Sequence, residues 1–300
     1  MMKEKHFLLL GPVCRDTVIT EGTARSCVGG AVYYQSAVLA SLEVKVTAIV
    51  TLSLDDKSLL DEFHPDVDIV PVWTKQTMKF ENNYPDRNNL NKRIQKASIV
   101  PNPILPEHIN ADLNRFDAVS VLPLSPFDIP YRTVLHLAAS EKRIFAGIQG
   151  YLRHLNKGQI ELKRWREYLF YAKFFDMIFC DGNEIKYISD MEFSDITNHA
   201  EYVRSFGVDE LIVTLGSGGS LIATSSGRHL EPAFIAENEA DATGMGDTYM
   251  AGYTASRVAG NSIEYSGKFA SAVAALKLEQ NGAFAGNILQ IEERMKGKQN

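Results

Sequence analysis

Between Asp241 and Tyr249 the chain reads Asp-Ala-Thr-Gly-Met-Gly-Asp-Thr-Tyr, with two glycines and a carboxylate at the entrance to an apolar run. Gly244 and Gly246 allow backbone angles and close approaches that a Cβ forbids. The residues after Asp247, among them Tyr249, Met250, Ala251 and Tyr253, predict a helix beginning there. The first turn of a helix leaves N–H groups unpaired. Together with the positive end of the helix dipole, they suit a phosphate or a phosphoryl group in flight. Asp247 beside such an anion is placed to take a proton from an attacking alcohol. The same residues also describe a glycine turn closed by an ordinary N-terminal Asp cap.

Four further constellations share this character. Asp16 lies just beyond the first apolar run, where open α/β sheets hold ligands and where a carboxylate accepts hydrogen bonds from hydroxyl groups; a turn Asp serving its local backbone is the alternative. Val28-Gly29-Gly30-Ala31 puts two glycines at a helix start. Asp181 and Glu184, three apart after another apolar run, fit a capping box or carboxylates that orient water around magnesium. Leu211 to Ile222 reads as strand, glycine turn and strand; without a P-loop lysine or a dinucleotide fingerprint, it offers a surface for a nucleotide or a plain hairpin.

The elements that must position these groups follow from the hydrophobic spacing. Phe7–Leu10, Val46–Val50, Ala118–Leu122, Ile144–Ile148, Met177–Cys180 and Leu211–Leu215 are short apolar strands. Val32–Leu42, Tyr131–Ser140, Ile160–Phe174 and Ile196–Phe206 carry helical spacing. Gly244–Ala259, Ser262–Leu278 and Ile288–Met295 make the C-terminal third helical. The alternation predicts βαβ units and a mainly parallel sheet. Two β-leaning excursions, about 14–28 and about 72–99, break the rhythm. The second alternates over Thr77–Tyr84, turns at Pro85–Asn89 and alternates again over Lys92–Val100. The two excursions are expected to pair into a small sheet standing off the main one.

Composition excludes several classes. The 300 residues are 45% hydrophobic, enough for a well-buried core, and are read as one α/β unit over 1–300. A net charge of -6 and a pI near 5.7 argue against a nucleic-acid partner, and Lys163, Arg164 and Arg166 alternate with Glu161 and Glu167 as a solvated helix face should. Cys14, Cys27 and Cys180 form neither a disulfide framework nor a zinc spacing, which suits a reducing cytoplasm. Met1–Cys14 resembles a lipoprotein signal in outline, but its apolar core is too short and a buried first strand is expected instead. No run is long enough to span a membrane.

In this order the pieces resemble the ribokinase/PfkB family of sugar and nucleoside kinases over nearly the whole chain. Asp241–Asp247 is similar to that family's DTGAGD signature, with Met245 where a small residue is usual. The resemblance implies a ribokinase-like three-layer α/β/α sandwich with a β-sheet lid. It makes Asp247 the catalytic base and the amides of Gly244, Met245 and Gly246 the anion hole. Asp16, Gly29 and Gly30 become acceptor-binding residues, with Tyr34 at the position of a common Asn and Gln35 beside it. Thr214, Gly216, Ser217, Gly219 and Asn281 are implied at the nucleotide, and Asp181 and Glu184 at magnesium through water. ATP and Mg2+ are the implied cofactors, with a monovalent cation as an option. The partner is a small sugar, polyol or nucleoside, and a homodimer through the lid is an option. Lys79–Tyr84, Arg93, Gln95 and Ile148-Gln149-Gly150-Tyr151-Leu152-Arg153 resemble the branch containing inositol kinases, which adds Gln149 to the acceptor side.

Overall fold

The computed structural model describes residues 2–20, 22–84, 94–188, 192 and 194–299. The chain opens with β1 (His6–Pro12), β2 (Cys14–Thr20), β3 (Thr23–Gly29), α1 (Ala31–Ser41), β4 (Lys45–Ser53) and β5 (Val67–Thr74). Next come β6 (Met78–Tyr84), β7 (Ile94–Ser98), β8 (Ala118–Val121), α2 (Tyr131–Ala138), β9 (Arg143–Gly147) and α3 (Gln149–Leu152). Then follow β10 (Arg153–Asn156), β11 (Gln159–Leu162), α4 (Tyr168–Tyr171), β12 (Met177–Asp181), α5 (Ile196–Arg204) and β13 (Glu210–Thr214). The chain closes with β14 (Ser220–Thr224), β15 (Gly227–Glu231), α6 (Met245–Val258), α7 (Ile263–Leu278) and α8 (Ile288–Arg294).

Nine strands form the central sheet in the order β15-β14-β13-β12-β9-β8-β1-β4-β5, parallel from β13 to β5, with β14 and β15 antiparallel at one edge. Because both faces are covered, β1 is apolar almost without interruption: Phe7, Leu8, Leu9 and Leu10 are fully buried. Phe7 and Leu9 pack towards α1, α6, α7 and α8, while Leu8 and Leu10 pack towards α2, α4 and α5. The result is an α/β/α sandwich. The Met1–Cys14 stretch is thus dominated by a central strand, as expected, and among the described residues no helix is long and apolar enough to cross a membrane.

A second sheet, β10-β11-β7-β6-β2-β3, stands at the carboxyl ends of the parallel strands. β2 pairs with β6 in parallel, Asp16 opposite Phe80, so the two excursions do join. Three of its connections to the elements of the central layer are short. Val13 alone separates β1 from β2, Gly30 alone separates β3 from α1, and residues 75–77 separate β5 from β6.

Three expectations need correction. Ile160–Phe174 is not a helix, and the alternating charges around Lys163 are not a helix face. Lys157 (φ 50°) and Gly158 (φ 83°) make a two-residue turn that pairs β10 with β11, and only the end of the stretch is helical, an α-helical turn over Tyr168–Tyr171 running into a 3-10 turn over Ala172–Phe174. The helical spacing had caught Trp165, Tyr168 and Tyr171, which do cluster, with Trp165 stacked 4.2 Å from Tyr151, but along an irregular path. The excursion drawn from 72 begins at Met78, since Val67–Thr74 is the edge strand of the central sheet, where Pro71 costs no interior hydrogen bond. The turn at Pro85–Asn89 and Arg93 lie outside the described residues.

Candidate active site

Gly244 caps α6 in the left-handed region (φ 76°), and a Cβ there would fall 2.4 Å from the Tyr34 ring. Only glycine fits. Thr248 N–H donates to Gly244 O at 2.9 Å and closes the first helical turn, leaving the amides of Gly246 and Asp247 without a partner inside the helix. A Cβ on Gly246 would meet nothing within 4 Å, so the space before these amides is open. Two clamps fix α6 against the sheet. Ser220 and Tyr249 place their hydroxyl oxygens 2.7 Å apart, and Tyr253 OH donates to Glu210 Oε2 at 2.6 Å. The site therefore has an anchored helix N-terminus with unpaired amides, suited to an anion.

Asp247 is half-buried on the first turn of α6. Loss of solvent pushes its carboxyl up to about 7, against the pull of the Arg153 guanidinium. A carboxyl in that range exchanges protons near neutrality, as a general base must. Arg153 sits at the start of β10, 6% exposed and 5.3 Å from the Phe80 ring centre. It also acts on Asp128, pushed up to about 7 by burial, and on Glu184, pushed up by burial and by the neighbouring Asp181 carboxylate. Asp128 is held by the amides of Leu124 and Ser125 and by the Ser125 hydroxyl.

On the acceptor side Asp16 is buried at the start of the second sheet. Cys14 Sγ donates to its Oδ1 at 3.0 Å and Asn82 Nδ2 to its Oδ2 at 3.4 Å, while Gln95 Nε2 donates to Asn82 Oδ1 at 2.7 Å. The glycine pair has a steric cause. A Cβ on Gly29 would lie 2.4 Å from the Asp16 carboxyl carbon, and one on Gly30 (φ 110°) would lie 2.6 Å from Pro12 O. Tyr34, 3% exposed, forms the wall between α1 and the Gly244 turn. Beside it the Gln35 amide is fully buried with no hydrogen-bond partner among the described residues.

The other expected groups fall in two places. Asp181 Oδ1 accepts from the amides of Asn183 and Glu184, and Glu184 Oε2 accepts from Asp181 N–H, the reciprocal pattern of a capping box. Gln149 Nε2 donates to Glu184 Oε1 at 2.6 Å, so Gln149 serves that carboxylate. Thr214 ends β13 and its hydroxyl reaches Cys180 O at 3.5 Å. Gly216 and Ser217 are exposed on the following turn, and Gly219 (φ 88°) packs so closely that only glycine clears Glu231 O. Asn281 is exposed, but its neighbour Gly282 donates N–H to Asp241 Oδ2 at 3.2 Å, which ties that segment to the glycine turn. Among the described residues no cluster of three or more His, Cys, Asp or Glu is arranged to hold a metal.

Sequence reasoning gave Arg153, Asn82 and Gln95 no site role of their own, although each stands in a quoted motif. Lys277 was passed over as a helix residue. Its signal was a lone lysine in the apolar run Ala270–Leu278.

Solved structures share this fold over nearly the whole chain. A pyrophosphate-dependent kinase of the ribokinase family, solved with a pyrophosphate analogue and myo-inositol, superposes with a TM-score of 0.82 over 97% of this chain and 99% of that one, at 22% identity. Arabidopsis thaliana ribokinase, solved with ribose and ATP, gives 0.74 over 98% and 99%, at 18% identity. A nucleoside kinase from Methanocaldococcus jannaschii is 34% identical over 92 residues, which span 31% of this chain and 29% of the relative. The solved neighbours establish a ribokinase fold. The model of the pfkB family carbohydrate kinases matches residues 106–288, more than half of the sequence, and the chain belongs to that family.

Proposed function

We propose that the protein transfers a phosphoryl group from a nucleotide donor, ATP, to a hydroxyl of a small sugar or polyol. The observation that carries this reading is the pair of unpartnered amides at the N-terminus of α6 with the Asp247 carboxyl, raised to about 7, on its first turn. Phosphoryl transfer asks chiefly for positioning and charge stabilisation. Asp16, Asn82 and Gly29-Gly30 would orient the acceptor. Asp247 would accept the proton of the hydroxyl as its oxygen attacks in line, and the amides of Gly244, Gly246 and Asp247 would stabilise the equatorial oxygens, whereas the Met245 amide, expected beside them, donates to Ala242 O at 3.4 Å. The glycine turn at Gly216–Gly219 and the Asn281 segment would face the nucleotide.

Asp181 and Glu184 are the residues that would hold magnesium, which would supply neutralisation of the donor's phosphate charge. Asp181 and Glu184 spend lone pairs on backbone amides and on Gln149, which suits contact through water rather than direct ligation. The second sheet stands over the acceptor side and would keep water from the transferring group. Inorganic pyrophosphate is the rival donor, suggested by the overall superposition on a pyrophosphate-dependent kinase. The decisive experiment measures transfer to a panel of polyols, sugars and nucleosides with ATP or pyrophosphate as donor. Phosphorylated polyol or sugar with ATP supports the proposal. Phosphorylation of nucleosides alone would overturn the acceptor class, and pyrophosphate use alone the donor.

A further inference from the structure

Lys277 is a fully buried ammonium-bearing side chain, 0% exposed, in the last turn of α7. Its Nζ donates to Asp241 O at 2.6 Å and stands 3.8 Å from Asp241 Oδ2 and 6.0 Å from the centre of the Tyr34 ring. Asp241 is the anchor of the glycine turn. Its Oδ1 accepts from Thr243 N–H, its Oδ2 accepts from Gly282 N–H and from Arg25 of β3, and its own N–H points to Leu278 O. The C-terminus of α7 thus grips the turn by a carbonyl and by a charge. Tyr34 contacts both the turn at Gly244 and the ammonium.

Burying a charge costs several kcal/mol even when it is paired. A neutral donor such as Gln would tether Asp241 O as well. Beyond the Asp241 carboxylate 3.8 Å away, a full positive charge gains where further negative charge is brought in, and the N-terminus of α6, joined to Asp241 by the glycine turn and to the ammonium through Tyr34, is that place. Burial draws the ammonium down to about 8, with the Asp241 carboxylate acting against this, so it remains charged at neutral pH. We propose that Lys277 is a positioning residue that gives the anion hole a fixed internal cation, so that the turn binds a phosphate-bearing donor without a dissociable monovalent cation. The inference rests on the kinase reading for its biological sense, but donor binding tests it without turnover.

The test measures calorimetric binding of ATP and of inorganic pyrophosphate to the intact chain and to its Lys277→Met and Lys277→Ala variants. Each is studied in tetramethylammonium, sodium and potassium chloride at equal ionic strength. For the unaltered chain, affinity should agree within about twofold across the three salts. Lys277→Met should weaken donor binding by about tenfold or more, the scale of one lost charge-assisted contact. Lys277→Ala should regain several-fold on addition of methylammonium, which fits the vacated space, and nothing from tetramethylammonium. A potassium requirement in the unaltered chain overturns the proposal, and this arm decides alone if the variants do not fold. Folded variants that bind like the parent also overturn it, as does a loss in Lys277→Ala that no small cation repairs. Donor binding with this pattern, but no transfer to any acceptor, would sink the kinase reading and leave the role of Lys277 intact.

Discussion

Replacing Asp247 by Asn keeps the shape of the side chain and removes its charge, and it should move activity and stability in opposite directions. Turnover should fall by about 10²–10⁴, the range for a lost positioned base. The native carboxyl titrates at about 7, well above the ~3.9 of an unfolded chain. The folded state therefore holds this proton more tightly, and stability is lost as pH rises from the unfolded value through about 7. Between pH 5 and pH 7 that linkage amounts to at most about 2.7 kcal/mol, and less where solvent reaches the half-buried group. The Asn variant escapes this term. Its unfolding midpoint should exceed the parent's by up to about 5 °C more at pH 8 than at pH 5, taking roughly 2 °C per kcal/mol in a chain of this size. The parent's kcat/KM should fall about tenfold from its plateau to pH 6, and the variant's residual rate should lack that limb. Thermal unfolding at the two pH values and a coupled assay of ADP release read all three quantities. An Asn variant within tenfold of the parent's turnover, or a midpoint difference equal at both pH values, would refute the reasoning.

Other perturbations separate the parts of the site. Gly246→Val points a side chain into open space before the α6 amides, so the variant should fold with an unchanged midpoint yet lose donor binding by calorimetry. Gly29→Ala sets a methyl group against the Asp16 carboxyl and should raise the acceptor KM tenfold or more, with little change in donor KM. Asn82→Leu removes the amide bridging Asp16 and Gln95, and steady-state kinetics should show acceptor KM rising while the pH limb near 7 stays in place.

The parallel sheet was legible because each inner strand is buried on both faces and so reads as a short uninterrupted apolar run, as Phe7–Leu10 does. The helix start at Gly244 was legible because a left-handed cap admits little but glycine and an Asp suits a first helical turn, and both stand ahead of an apolar run. The β10–β11 hairpin was not. Its turn rests on a lysine at positive φ before Gly158, and the aromatic residues after it happen to fall at helical spacing. Edge strand β5 escaped notice because Asp68, Pro71 and Thr74 break its apolar run, which an edge position tolerates. Arg153 and Lys277 were hidden for another reason. A charge acquires meaning only from what surrounds it, and their partners on other elements, Asp128, Glu184 and Asp241, lie 25 or more positions away in the sequence.

The division of labour between the two sheets has a consequence for how such a protein can change. The groups expected to choose the acceptor, Asp16, Asn82 and Gln95, all stand on the second sheet, whereas the anion hole and its Lys277 support belong to helices packed on the central one. Variation on one face of the small sheet would explore new hydroxyl patterns while the machinery for moving phosphate is inherited unaltered. Libraries confined to β6 and β7 are therefore the economical route to new acceptors, and Gly29 and Gly30, wedged at the joint, are the positions such libraries should leave alone.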